Sequence, residues 1–267
     1  MTPGKLVVFE GIYGSGKLTV DVVHRLREAL VQQGRAVYEI DSPDTGRARV
    51  MGAQDLDTSW RYGVFEADFF FELASRARVC SAVREELAGG KIVLCKNFTL
   101  ASAVHARLLG RDWVGEELNV LEKRARGLPF GREVVPDLTL FLDVRPEVAS
   151  RQLGGRLAEF FPAGTLDRQR DFYLQELSRL PPDRVKIIAA GSEDGVFEES
   201  LLAIGSLASS TRPPCPRIEA HRPRVEGASP RPSLVLRWTI PSVNAKSFLG
   251  PAGARPARQL VHKGDFP

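Results

Sequence analysis

Gly11, Gly14, Gly16 and Lys17 stand at the spacing of a phosphate-binding turn, in the run Gly11-Ile12-Tyr13-Gly14-Ser15-Gly16-Lys17. Glycines there let the backbone approach phosphate oxygens with no Cβ in the way. The amides at a helix N-terminus, together with the helix dipole, draw negative charge to the same spot. A lysine after the last glycine reaches the terminal phosphates of a nucleotide. One position departs from the pattern. Leu18 follows the lysine, where a Ser or Thr hydroxyl would ligate Mg²⁺ beside the phosphates. Thr19 comes next, but neighbouring helical residues project about 100° apart, so its hydroxyl cannot simply take over. Mg²⁺ keeps several waters and needs few protein ligands, so weakened metal binding is expected rather than none.

The motif needs a strand before it and a helix after it. Lys5–Glu10 (KLVVFE) reads as a buried strand, and residues 16–33 as a helix with Val20, Val23, Leu26 and Leu30 at helical spacing. Gly34 stops that helix, and residues 36–40 give a second strand. A polar turn around Pro43 and Gly46 leads to an aromatic-rich helical stretch over residues 62–87, and Gly89-Gly90 breaks it before a third strand, residues 91–95. Helical segments follow at 100–109 and 115–126. Residues 138–144 (LTLFLDV) form a nearly continuous apolar strand of the kind a parallel sheet buries on both faces. Pro146 opens a helix at its first turn, residues 166–180 are helical, 184–189 give a fifth strand and 196–207 a closing helix. Strands alternating with helices predict a doubly wound parallel sheet of five strands with helices on both faces. Its ligand is expected at the carboxyl ends of the strands.

Composition sets the outer bounds. The chain has 267 residues, 43% of them hydrophobic, enough for one large α/β domain or two modest ones. No apolar run approaches the roughly 20 residues of a membrane span. The start of the chain enters the first strand without the regions of a signal peptide. Cys80, Cys95 and Cys215 show neither metal-ligand spacing nor a disulfide pattern, and a cytoplasmic location is expected. From Arg212 onward there are ten Lys/Arg against three Asp/Glu, with ten of the 18 prolines, while the rest holds 27 basic and 30 acidic residues. Residues 1–210 are therefore expected to form the folded domain and residues 211–267 a basic, proline-rich, disordered tail. With few aromatics and no recognisable binding module in the tail, nucleic acid is not expected as a partner.

From Lys5 to Leu207 the chain resembles a thymidylate kinase, a nucleoside monophosphate kinase of the P-loop NTPase type. Phe9-Glu10-Gly11 with Gly14-Ser15-Gly16-Lys17 is similar to that family's opening, and the most specific stretch is Pro136–Val144 followed by Pro146-Glu147-Val148-Ala149. The resemblance implies ATP and Mg²⁺ as cofactors, held by Gly11, Gly14, Ser15, Gly16, Lys17 and Thr19. It implies a nucleoside monophosphate such as dTMP as acceptor, and a homodimer. Pro43 would lie near the acceptor phosphate, Leu73-Ala74-Ser75-Arg76 on a base-recognising helix with Arg76 bonding thymine, and Arg151 and Arg156 where lid arginines approach the transferred phosphoryl group.

Departures from the family pattern fall where the chemistry would be. Lys96-Asn97 replace an Asp-Arg pair, so Lys96 can meet a phosphate only as a point charge, without arginine's fork. Tyr13 replaces an acidic residue of the loop, and Glu72 the aromatic that stacks on thymine. Phe69, Phe70 and Phe71 just before it are either core residues or, for Phe71 after a one-residue slip, the stacking ring. Two readings follow: an ATP-dependent nucleoside monophosphate kinase, slow or altered in acceptor preference, or a non-catalytic nucleotide-binding homologue acting as a sensor or partner-binding module.

Overall fold

The computed structural model describes residues 4–40, 65–108, 110, 115–127, 133–158 and 164–209; side chains of Lys17, 65–69, 115–119, 154–158, 208 and 209 are also outside that description. Pro43 and the tail from 210 onward, with the expectations attached to them, lie outside the described residues.

Five strands form one sheet: β1 (Lys5–Glu10), β2 (Val37–Ile40), β3 (Ile92–Lys96), β4 (Leu138–Asp143) and β5 (Val185–Ala189). Their order is β2-β3-β1-β4-β5, and every pairing is parallel. The helices between them are α1 (Gly16–Gln32), α2 (Phe65–Ala88), α3 (Thr99–Leu108), α4 (Gly115–Ala125), α5 (Pro146–Ala158), α6 (Thr165–Ser178) and α7 (Glu193–Ser209). This is the doubly wound, P-loop NTPase-type sheet the sequence predicts, with each described boundary within three residues of its expected place.

The central strand explains why its sequence is so apolar. All six residues of β1 are buried, because β3 and β4 flank its edges and helices cover both faces. Val7 and Phe9 point to one face, into a core shared with Leu26, Leu140, Leu142 and Ile188. Leu6 and Val8 point to the other, with Cys80, Val83, Val93 and Phe98. A third cluster, Ile12, Val104, Phe141, Ala149, Leu166 and Tyr173, joins α3, α5 and α6 to the end of β4.

One helix face differs from expectation. Val20 is 48% exposed, and Val22 takes its place in the core beside Val23, Leu26 and Leu30. At 3.6 residues per turn Val20 lies about a third of a turn round from Leu26, whereas Val22 lies almost above it. The end of α1 follows the rule: Gly34 has φ 75°, and the Arg35 amide donates back to Leu30 O at 3.0 Å. No helix among the described residues is long and apolar enough to cross a membrane.

Candidate functional site

The carboxyl ends of β3, β1 and β4 lie side by side, and the chain leaves β1 directly into the glycine run. Ser15 stands at the N-cap position of α1 but does not cap it with its side chain: its amide and its hydroxyl both donate back to Ile12 O, at 3.0 and 2.7 Å, closing the turn on itself. Gly14 has φ 87°, and a Cβ there would run into the Ala149 carbonyl of α5, so only glycine fits. A Cβ on Gly11 would meet the Ser15 hydroxyl. At Gly16 the opposite holds, since nothing lies within 4 Å of a Cβ placed there. The space over the first turn of α1 is open, which suits a phosphate group held by helix amides.

Packed helices hold the loop from outside. The Tyr13 amide donates to Gln169 Oε1 on α6 at 2.9 Å, and the Tyr13 hydroxyl lies 2.7 Å from His105 Nδ1 on α3. The tyrosine that stands in for an acid therefore turns its side chain toward α3. Thr19 is buried, and its hydroxyl donates to Ser15 O at 3.0 Å, back into the helix. Leu18 packs against both the β1–α1 core and the cluster around Ile12 and Phe141. The backbone of Lys17 opens α1 directly after Gly16.

At the end of β3, Lys96 Nζ forms an ion pair with Glu39 of β2 at 2.9 Å. Asn97 has φ 56°, a left-handed conformation that asparagine tolerates better than most residues, and its amide donates to Phe9 O at 2.8 Å. At the end of β4, Asp143 accepts two hydrogen bonds from Arg170 of α6, at 2.6 and 2.7 Å, a bidentate fork. Arg151 is exposed on α5, and Arg156 belongs to the same helix.

A buried polar cluster sits behind β1 and β3. Arg76 of α2 has no exposed surface. Its Nη2 donates to Glu72 Oε1 at 2.7 Å and to Ser102 Oγ at 2.6 Å, while its Nε lies 3.0 Å from Glu122 Oε2. Ser102 also donates to Glu72. The Phe98 ring lies 5.2 Å from the guanidinium carbon. Burial opposes the charge on Arg76, but Glu122, Glu72 and Glu10 outweigh it and hold the guanidinium above its ordinary value. Glu10 is the last residue of β1, and its two oxygens accept from the Phe98 amide at 2.9 Å and the Tyr173 hydroxyl at 3.3 Å. Burial pushes its carboxyl up to about 7, against the opposing pull of that amide, Arg76 and Tyr173. Glu10 also lines a cavity of about 110 Å³ with Phe98, Thr139, Arg126 and Arg184.

Phe71 is 40% exposed and Phe70 60%, so neither is the core residue that one reading made of them. Phe71 sits beside Glu72 on α2, Lys96 ends β3, and Arg76 lies against Phe98 just beyond that strand. Sequence reasoning gave no site role to Glu10, Gln169, His105, Glu122 or the Asp143–Arg170 pair. The Glu72–Arg76 spacing of four on a helix was the one visible signal.

The thymidylate kinase family model matches residues 9–200. Among the relatives, the thymidylate kinase of Nitratidesulfovibrio vulgaris is 32% identical over 78% of this chain and 99% of its own length. That of Solidesulfovibrio magneticus is 31% identical over 75% and 99%, and that of Albidiferax ferrireducens 29% identical over 76% and 96%.

Proposed function

The chain belongs to the thymidylate kinase family, and from that premise we propose that it is an ATP-dependent nucleoside monophosphate kinase. The observation that carries the reading is the closed turn before α1, with open space over Gly16 and closely packed support at Gly14. Gly11, Gly14, Ser15, Gly16 and Thr19 belong to the donor side of this reading. Amides of the glycine run would receive the phosphates and Lys17 would neutralise their charge, while the Ser15 and Thr19 amides hold the loop and the first turn of α1 together. Arg151 and Arg156 would stabilise charge on the transferred phosphoryl group, an effect worth roughly 10³-fold or more in rate. Pro43, Phe71, Arg76 and Lys96 belong to the acceptor side of this reading. Lys96 would first have to leave Glu39 to meet a phosphate.

The loop suits a triphosphate better than a tightly held metal. Leu18 supplies no ligand, Thr19 bonds to Ser15 O, and Asp143 is held by Arg170. Mg²⁺ would bind mostly through phosphates and water, and would supply charge neutralisation there. A cytoplasmic homodimer follows from family resemblance, and light scattering on the purified chain tests the dimer.

Turnover of nucleoside monophosphates with ATP and Mg²⁺, read in a coupled ADP assay, tests the function. Phosphorylation of any acceptor supports the kinase. Micromolar ATP binding without turnover of any acceptor would favour the non-catalytic homologue, which the leucine at 18 and the pairing of Lys96 also suit.

A further inference from the structure

α1 packs on the sheet face that carries Val7 and Phe9. Val8, Glu10 and Thr139 belong to the other face, and there they line a cavity of about 110 Å³ together with Arg126 and Arg184. A single water needs roughly 10–15 Å³ of such space, so several waters or one small polyatomic ion fit. A nucleotide does not, since pockets for ligands of that size run to about 300 Å³ or more. None of the residues assigned above to the donor or the acceptor lines this cavity.

The polar groups around it suit an anion. Arg126 pairs through Nη2 with Glu133 at 2.7 Å, but its Nε is buried without a hydrogen-bond partner. An orphaned donor on a charged group is costly, and an oxygen in the cavity would satisfy it. Arg184 brings a second guanidinium to the lining and Thr139 a hydroxyl. Glu133 offsets one of the two positive charges. Glu10 keeps its oxygens on the Phe98 amide and the Tyr173 hydroxyl, and burial pushes its carboxyl up to about 7, so below that pH it adds little negative charge. One positive charge is left over, beside a space too small for anything but a compact ligand.

We propose that the cavity is a site for inorganic phosphate, separate from the nucleotide loop and independent of the kinase reading, with Arg126 and Arg184 holding the ion. The planar fork of a guanidinium matches two oxygens of one phosphate, which an ammonium group cannot do. Glu10 lines the cavity and directly precedes Gly11, so the ion is bound one residue behind the loop.

Phosphate also suits the glycine loop, so the titration is made in Gly16→Ala, whose Cβ occupies the space over the first turn of α1. Calorimetry of that full-length variant with inorganic phosphate at pH 6 should still show binding at one site, and ATP should not compete for it. Gly16→Ala/Arg184→Gln and Gly16→Ala/Arg126→Lys should each bind at least tenfold more weakly, the loss expected for one charge-assisted hydrogen bond. The lysine keeps a charge for Glu133 but offers no Nε donor. Melting curves run beside the titrations, and if one double variant is unfolded the other decides. Absence of binding in Gly16→Ala up to about 10 mM phosphate would leave the cavity to water and overturn the proposal. Binding that ATP displaces, or that a folded arginine variant retains in full, would overturn it as well.

Discussion

The backbone amide of Tyr13, inside the phosphate loop, is held by the side-chain oxygen of Gln169 at 2.9 Å, across 156 residues of sequence. A helix distant in sequence thus fixes one amide of the loop, and the loop's shape depends on α6 as well as on its own glycines. Gln169 is 3% exposed, so no water replaces it readily. Gln169→Ala is expected to lower stability by about 1–2 kcal/mol. Hydrogen exchange should show the Tyr13 amide losing protection selectively; uniform loss over all of α6 would point to general unfolding of that helix instead.

Gly14 and Gly16 should respond oppositely to alanine. Gly14→Ala forces a Cβ at φ 87° into the Ala149 carbonyl and should destabilise the free protein by about 1–3 kcal/mol. Gly16→Ala meets no atom and should leave the melting temperature unchanged or raised, while weakening ATP binding at least tenfold by filling the space over the helix end. Differential scanning fluorimetry with and without ATP separates the two.

Glu10 should make stability depend on pH. Its carboxyl stands at about 7 in the fold against an ordinary 4.5, so the folded state holds a proton the unfolded chain has lost. The stabilising contribution is then fully present below about 4.5 and disappears as pH rises through about 7, with an upper bound of about 3 kcal/mol. Urea unfolding of wild type and Glu10→Gln at pH 5 and pH 8 reads it out. The variant should gain on wild type at pH 8 relative to pH 5, and parallel profiles would refute the assignment.

Restoring the family's residues tests what has been lost. Leu18→Ser with Lys96→Asp and Asn97→Arg should lower the Mg²⁺ concentration for half-maximal turnover and raise kcat with the preferred acceptor at least tenfold. The arginine must adopt φ 56°, at a cost of about 1–2 kcal/mol, so a circular dichroism melt accompanies the assay. A folded triple variant with unchanged kinetics would show that these side chains do not limit the reaction.

The sheet was legible because a strand buried on both faces must be largely apolar, as residues 6–9 and 140–142 are. The glycine loop was legible because its backbone geometry dictates residue type. Val20 was misplaced because several residues of α1 fit a helical stripe, and only packing against β1 selects Val22. Most pairings at the site were not legible at all. Tyr13 with His105, Glu39 with Lys96 and Asp143 with Arg170 join residues brought together only by the fold, and no local pattern encodes them. The phenylalanines of α2 misled for a different reason: hydrophobicity marks what can be buried, whereas Phe70 and Phe71 remain at the surface.

Leu18 rests against two hydrophobic clusters at once, one on each side of the phosphate loop's exit. The side chain is thus a joint between two parts of the interior, and Leu18→Ser removes methyl groups from both clusters in the same step that introduces a hydroxyl beside Lys17. Packing and metal chemistry are coupled at this one position.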